Sequence, residues 1–126
     1  MKVKDPVAEH LKKLKVLFVC TQNRLRSPTA EKVFSARPRL EVRSAGVDKE
    51  SKVQVDRELL EWADVVFVME RRQRNIIHKK FKDLYQKKRI ICLYIPDEYD
   101  YMDAVLIELL KESVTPHLGR GYSEDS

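Results

Sequence analysis

Cysteine occurs twice in this 126-residue chain, glycine and histidine three times each and proline five times. Two cysteines far apart in sequence form neither a disulfide framework nor a CxxC or zinc-type spacing, and His10, His78 and His117 are scattered singly, so no metal site is expected. The low glycine and proline content excludes a low-complexity or collagenous chain. Long apolar runs are also missing: "VLFVC" and "VVFVM" fall far short of the ~20 residues of a membrane span. "MKVKDPVAEHLKK" lacks the apolar core of a signal peptide. The expectation is a single cytoplasmic domain over residues 1–126, without membrane association, with an N-terminal extension at 1–14 and a flexible tail at 119–126.

Charge is plentiful. Lysine and arginine exceed the acids to give a formal +5, and the excess is uneven, because residues 71–89 hold nine basic residues against the single acid Asp83. A solvated helix face followed by a loop accounts for such a run, and so does a polyanionic partner.

The apolar residues fall into short β-branched or aromatic runs, "KVLFV", "LEVRS", "DVVFVM" and "RIICLYI", each fitting a buried strand. Helical patterns separate them. "SPTAEKVFSA" carries Pro28 in its first turn with Ala30, Val33 and Phe34 on one face, and "DRELLEWA" starts at a cap residue, Asp56. "RRQRNIIHKKF" has Ile76, Ile77 and Phe81 as its apolar side. "YMDAVLIELLKE" repeats Met102, Val105, Leu106, Leu109 and Leu110 at helical spacing, with Asp103 as its cap. A further amphipathic turn is expected from Asp5-Pro6, with Val7, Leu11 and Leu14 inward. Trp62 and Cys92 are expected in the core. Strand and helix alternate, which dictates an α/β sandwich with a parallel sheet covered on both faces.

Such sheets bind ligands beyond the carboxyl ends of their strands. Cys20 ends the first strand and Asp97 follows the fourth, so the architecture brings both to one edge. The stretch "VLFVCTQNRLRSPTAEKVF", residues 16 to 34, then has a chemical meaning. A cysteine at a strand end, followed by a loop and a helix N-terminus, sits in positive potential, where the nucleophilic thiolate is favoured and anions bind. Arg26 at the helix entrance offers a planar fork that matches two oxygens of a phosphate.

The same stretch resembles the phosphate-binding loop of the low-molecular-weight protein tyrosine phosphatases. "VRSAGV" is similar to that family's second strand and Ser-Ala-Gly turn, "WADVVFVMERRQRNII" to its third strand and following helix, and "LYIPDEYDYMDAVLIELL" to its acid loop and last helix. The resemblance implies a three-layer sandwich with a four-stranded parallel sheet in flavodoxin-like order 2-1-3-4. It makes Cys20 the nucleophile of a phosphocysteine intermediate, Arg26 the clamp on the phosphoryl oxygens and Asp97 the general acid. Thr21, Gln22, Asn23, Arg24, Leu25 and Ser27 complete the loop. Ser27 is implied to hydrogen-bond the thiolate, and Asn23 to take a left-handed conformation and reach Ser44. Gln22, Leu25 and Glu98 stand where family members usually have Gly, a second Cys and Pro. The segment "VDKESKVQVDRELLE" is also shorter than its family counterpart, which supplies much of the pocket wall, leaving Tyr99 and Tyr101 as candidates to flank an aromatic substrate.

The resemblance thus implies a metal-independent, cofactor-free phosphomonoesterase of the protein tyrosine phosphatase type. Its substrate would be a phosphorylated protein or a small aryl phosphate, and phosphate or vanadate would inhibit it. A non-catalytic module that binds phosphate or nucleic acid through the anion loop and segment 71–89 is the alternative of a different class. An arsenate reductase on the same fold fits poorly, since it needs resolving cysteines and Cys92 is the one other thiol.

Overall fold

The computed structural model describes residues 13–119. Four parallel strands form one sheet: β1 (Leu14–Cys20), β2 (Leu40–Gly46), β3 (Val65–Val68) and β4 (Arg89–Cys92), in the order β2-β1-β3-β4. This is the α/β sheet and strand order expected. β1 lies at the centre, pairing with β2 from Leu14↔Leu40 to Cys20↔Gly46 and with β3 from Val16↔Val65 to Val19↔Val68. Alternate side chains of a strand face opposite layers, so β1 divides its residues between two cores. Val16, Phe18 and Cys20 join Phe34, Phe67, Leu106, Leu110 and Val114 on one face. Leu17 and Val19 join Val66, Val68, Leu60, Ile77 and Leu84 on the other. Phe18 stacks between Phe34 and Phe67, with ring centroids 5.4 Å from each.

Helix α1 (Arg26–Phe34) and the last helix, α5 (Ala104–Val114), cover the first face; α2 (Arg57–Trp62), α3 (Arg71–Lys80) and α4 (Lys82–Lys87) cover the second. Two of the caps are those the sequence predicts. The Asp56 carboxylate accepts from the Leu59 N–H, and Asp103 accepts from Val105 and Leu106. Such caps contribute about 1 kcal/mol each. Among the described residues no helix is long and apolar enough to cross a membrane.

Several expectations are revised. The turn proposed from Asp5 to Leu14 lies outside the described residues except at its end, where Leu14 opens β1, and the tail is described only to residue 119. Met102 and Val105 do not face the core: Met102 precedes the cap with a left-handed φ of 62°, and Val105 is 57% exposed. Segment 71–89 is a helix pair and not a helix with a loop, because Phe81 leaves helical geometry (φ −132°, ψ 55°) and starts α4. Part of its charge is structural. Lys88 donates to the Glu61 and Ala63 carbonyls at the end of α2. Asp83 receives the Arg57 fork at 2.9 and 3.0 Å, and the Arg57 guanidinium holds its carboxyl well down, at about 2. Trp62 is partly buried against the second core under the Arg43 guanidinium, 4.2 Å from the ring centroid, and Cys92 packs against the same core.

Candidate active site

β1 delivers Cys20 to the carboxyl edge of the sheet, and the chain crosses residues 21–25 before α1 begins at Arg26. Three side chains shape that crossing. Asn23 adopts φ 57°, a left-handed conformation that Asn tolerates better than most residues. Its amide nitrogen donates to the hydroxyls of Ser27 and Ser44, both at 3.0 Å, while its oxygen accepts from the Val53 N–H at 3.2 Å. Ser44 in turn donates to the Glu31 carboxylate. Gly46, at the end of β2, has to be glycine: a Cβ there would lie 2.7 Å from the Thr21 carbonyl oxygen and 2.8 Å from the Asn23 nitrogen, and closer still to the Ser51 hydroxyl. The loop backbone therefore rests directly on the end of β2, where the expected Ser-Ala-Gly turn is strand.

The Ser27 hydroxyl lies 2.9 Å from Cys20 Sγ and 3.2 Å from the Ala45 carbonyl oxygen. One hydroxyl proton has two acceptors. Either Cys20 Sγ or the Ser27 hydroxyl can be the donor between them, so the hydroxyl can be shared between sulfur and the Ala45 carbonyl.

Arg26 is 2% exposed, and its Nη1 donates to Glu70 at 2.7 Å and to the Ile95 carbonyl at 2.9 Å. Its Nε lies 3.7 Å from Asp97 Oδ1. Engagement of Nη1 fixes the guanidinium plane and leaves the Nε and Nη2 edge, a bidentate fork, for a ligand. Cys20, Arg26 and Asp97 together line a cavity of about 300 Å³ with Thr21, Gln22, Arg24 and Leu25. The loop carrying Asp97 is tied to α1 further on, since Met102 N–H donates to the Thr29 hydroxyl at 2.8 Å and Thr29 itself donates to the Leu25 carbonyl.

The two tyrosines singled out from sequence stand apart from this cavity. Tyr99 packs against the first core, and Tyr101, 49% exposed, lines a neighbouring groove. Two residues of the site were missed. Glu70, the N-cap of α3, pairs with Arg26. Gln73, fully buried, donates to the Thr21 hydroxyl at 3.0 Å and to Glu70 at 3.3 Å, and accepts from the Glu70 N–H. The readable signal was the spacing Glu70-x-x-Gln73 after an apolar run, which is a capping box at the start of α3.

Arg26 holds the Glu70 carboxyl below the usual carboxylate range, first through its hydrogen bond and against the opposing effect of burial. A carboxylate depressed in the folded state stabilises above its unfolded value of ~4.3 and loses that contribution as pH falls through the folded value. Glu70→Gln keeps the acceptor and loses the charge. The variant is expected to be less stable than wild type at pH 7, with the gap closing in acid; urea unfolding at pH 7 and pH 3 measures both ends.

Known proteins resemble the chain in its first half and in its fold. A family model described as low molecular weight phosphotyrosine protein phosphatase matches residues 15–61, the stretch from β1 through α2. A solved YwlE arginine phosphatase mutant with a phosphorylated active site serine is 25% identical, covering 88% of this chain and 100% of its own at a TM-score of 0.66. The low molecular weight protein tyrosine phosphatase SP-PTP of Streptococcus pyogenes is 14% identical, with 86% and 96% covered at a TM-score of 0.71. The tyrosine phosphatase Wzb of Escherichia coli, solved with phosphate, is 20% identical, with 83% and 98% covered at 0.66. No curated protein matches the chain in sequence. The family match supports the class, a cysteine-dependent phosphatase, and the solved structures support its fold. Within that class the resemblance read from the sequence stands: the likeness is to the low-molecular-weight protein tyrosine phosphatases, at low identity.

Proposed function

We propose that this chain is a cytoplasmic, metal-independent phosphomonoesterase that acts on phosphorylated proteins, phosphotyrosine foremost. The observation that carries this reading is one cavity lined by Cys20, Arg26 and Asp97, residues that the sequence scatters over β1, α1 and the loop after β4. Cys20 Sγ attacks phosphorus as the ester oxygen departs, forming a sulfur–phosphorus bond and breaking the phosphorus–oxygen bond. The Nε and Nη2 edge of Arg26 holds equatorial oxygens through the transition state, and Asp97 gives its proton to the leaving oxygen. The Asp97 carboxylate then takes a proton from water as that water attacks the phosphocysteine, releasing phosphate and returning the thiolate to Ser27. Inorganic phosphate and vanadate compete for the same loop.

A second reading, phosphoarginine as substrate, is supported by the arginine phosphatase among the similar structures. Arg24 weighs against it. Its cationic side chain is exposed on the cavity wall, where a guanidinium leaving group would meet like charge. A binding role for segment 71–89 toward nucleic acid remains separate from the site chemistry.

The test is hydrolysis of para-nitrophenyl phosphate, a phosphotyrosine peptide and a phosphoarginine peptide in EDTA. Wild type is expected to turn over the first two, and Cys20→Ser neither. Turnover that EDTA abolishes, or that survives in Cys20→Ser, overturns the mechanism. Faster turnover of the phosphoarginine peptide reverses the order of the two readings.

A further inference from the structure

A second concavity, about 610 Å³ and larger than the one holding Cys20, lies beside the loop. It contains no cysteine, yet it falls within the ~300–1,000 Å³ of ligand sites. Arg24 lines both spaces, so a substrate leaving the phosphate cavity past Arg24 enters this groove directly.

Its walls have a definite chemistry. Arg24, Arg43 and Lys52 are exposed cations on its lining, and Pro28, Val53 and Tyr101 supply apolar surface. The one acid present, Glu31, already accepts from the Ser44 hydroxyl. Arg43 is held by its stacking on Trp62 and by a long ion pair with Glu41, at 3.9 Å. The wall bearing Lys52 and Val53 is part of the short connection between β2 and α2. It is pinned by Gly46 N–H to the Val53 carbonyl and Val55 N–H to the Gly46 carbonyl, both at 2.8 Å, and by the Val53 N–H on Asn23 of the loop. Wall and phosphate loop are therefore one preorganised unit, which reduces the ordering cost of binding a chain across both.

We propose that this groove binds an acidic, extended segment of a phosphoprotein next to its phosphorylated residue, so that Arg24, Arg43 and Lys52 select substrates with Asp or Glu on that side. The inference rests on the phosphatase reading and names its substrate class. Charge complementarity argues for acidic residues, and the aliphatic lining of Pro28, Val53 and Leu59 argues for a peptide over a polynucleotide.

The test compares two phosphotyrosine peptides of equal length, one with Asp and Glu around the phosphotyrosine and one with Gln and Lys, alongside para-nitrophenyl phosphate. Wild type is expected to prefer the acidic peptide about tenfold in kcat/KM, through KM, with the preference shrinking as salt is raised. Lys52→Glu and, independently, Arg43→Glu are expected to lower kcat/KM for the acidic peptide about fivefold while leaving para-nitrophenyl phosphate unchanged. Equal rates on the two peptides overturn the proposal and leave the phosphatase intact, as does an unaltered preference in both variants. If no ester is hydrolysed, the phosphatase reading falls; fluorescence anisotropy of the labelled acidic peptide then decides the groove, and binding unaffected by Lys52→Glu overturns it. Tighter binding of a single-stranded RNA of matched charge at the same residues also overturns it.

Discussion

Arg26→Lys is expected to lose roughly 10²- to 10³-fold in kcat/KM although the positive charge is kept. The reason lies in how the guanidinium is shared. Nη1 is committed to Glu70 and the Ile95 carbonyl, while Nε stands 3.7 Å from Asp97 beside the cavity that both residues line. An ammonium has no second edge. Placed among the same neighbours, Lys at this position is drawn to the Glu70 carboxylate and the Ile95 carbonyl, and its remaining donors lack the coplanar spacing that matches two phosphoryl oxygens. The loss is expected for good and poor leaving groups alike, because the clamp acts on the oxygens that do not leave. Steady-state kinetics on para-nitrophenyl phosphate and phenyl phosphate check this. Turnover within threefold of wild type would remove Arg26 from the reaction.

Asp97→Asn is expected to separate those two substrates. Proton donation contributes about 10²- to 10⁴-fold and matters most when the leaving oxygen is basic. Phenyl phosphate and phosphotyrosine should therefore slow by at least 10²-fold, and para-nitrophenyl phosphate, whose leaving group needs little help, far less. The basic limb of the pH profile should vanish with the acid. Asp97 suits the role by position: it is exposed, follows Pro96 at the edge where Cys20 emerges, and faces the cavity beside Arg26. Asp103 is occupied as the α5 cap, and Asp100 does not line the cavity. Equal losses on both substrates would reject Asp97 as the acid, and a selective loss in Asp100→Asn would move the role along the loop.

What the sequence revealed follows from the range of each interaction. β1 and β3 were readable because burial on both faces forces continuous apolar runs, and α2 and α5 were readable from Asp56 and Asp103, whose capping bonds are local. The interruption of "RIICLYI" was not. Leu93 and Ile95 still donate to Val68 and Met69, but the strand proper stops at Cys92 and Tyr94 takes φ 57° with 65% of its surface exposed. Tyrosine carries no turn signal. The break at Phe81 was hidden for the same reason, since neither Gly nor Pro marks it. Glu70 and Gln73 reach Arg26 and Thr21 across the sheet edge, and no local pattern encodes a partner that distant. The groove is assembled from the loop after β1, α1, β2, the connection before α2, α2 itself and the loop after β4, so it exists only in three dimensions.

The anchoring of Arg26 on Ile95 has a thermal consequence. Ile95 lies just beyond β4, a four-residue edge strand whose first residue is exposed and whose others are only half-buried, whereas the central strand β1 is buried from Val16 to Cys20. Short, half-solvated edges open at a lower free-energy cost than the whole fold. Release of β4 withdraws the Ile95 carbonyl from the arginine and carries Asp97 away from the cavity, while β1, β2 and β3 still hold Cys20 in place. Heating is therefore expected to disarm the molecule before it melts: on one temperature ramp, turnover of an aryl phosphate should fade while the sheet signal in circular dichroism is still largely native.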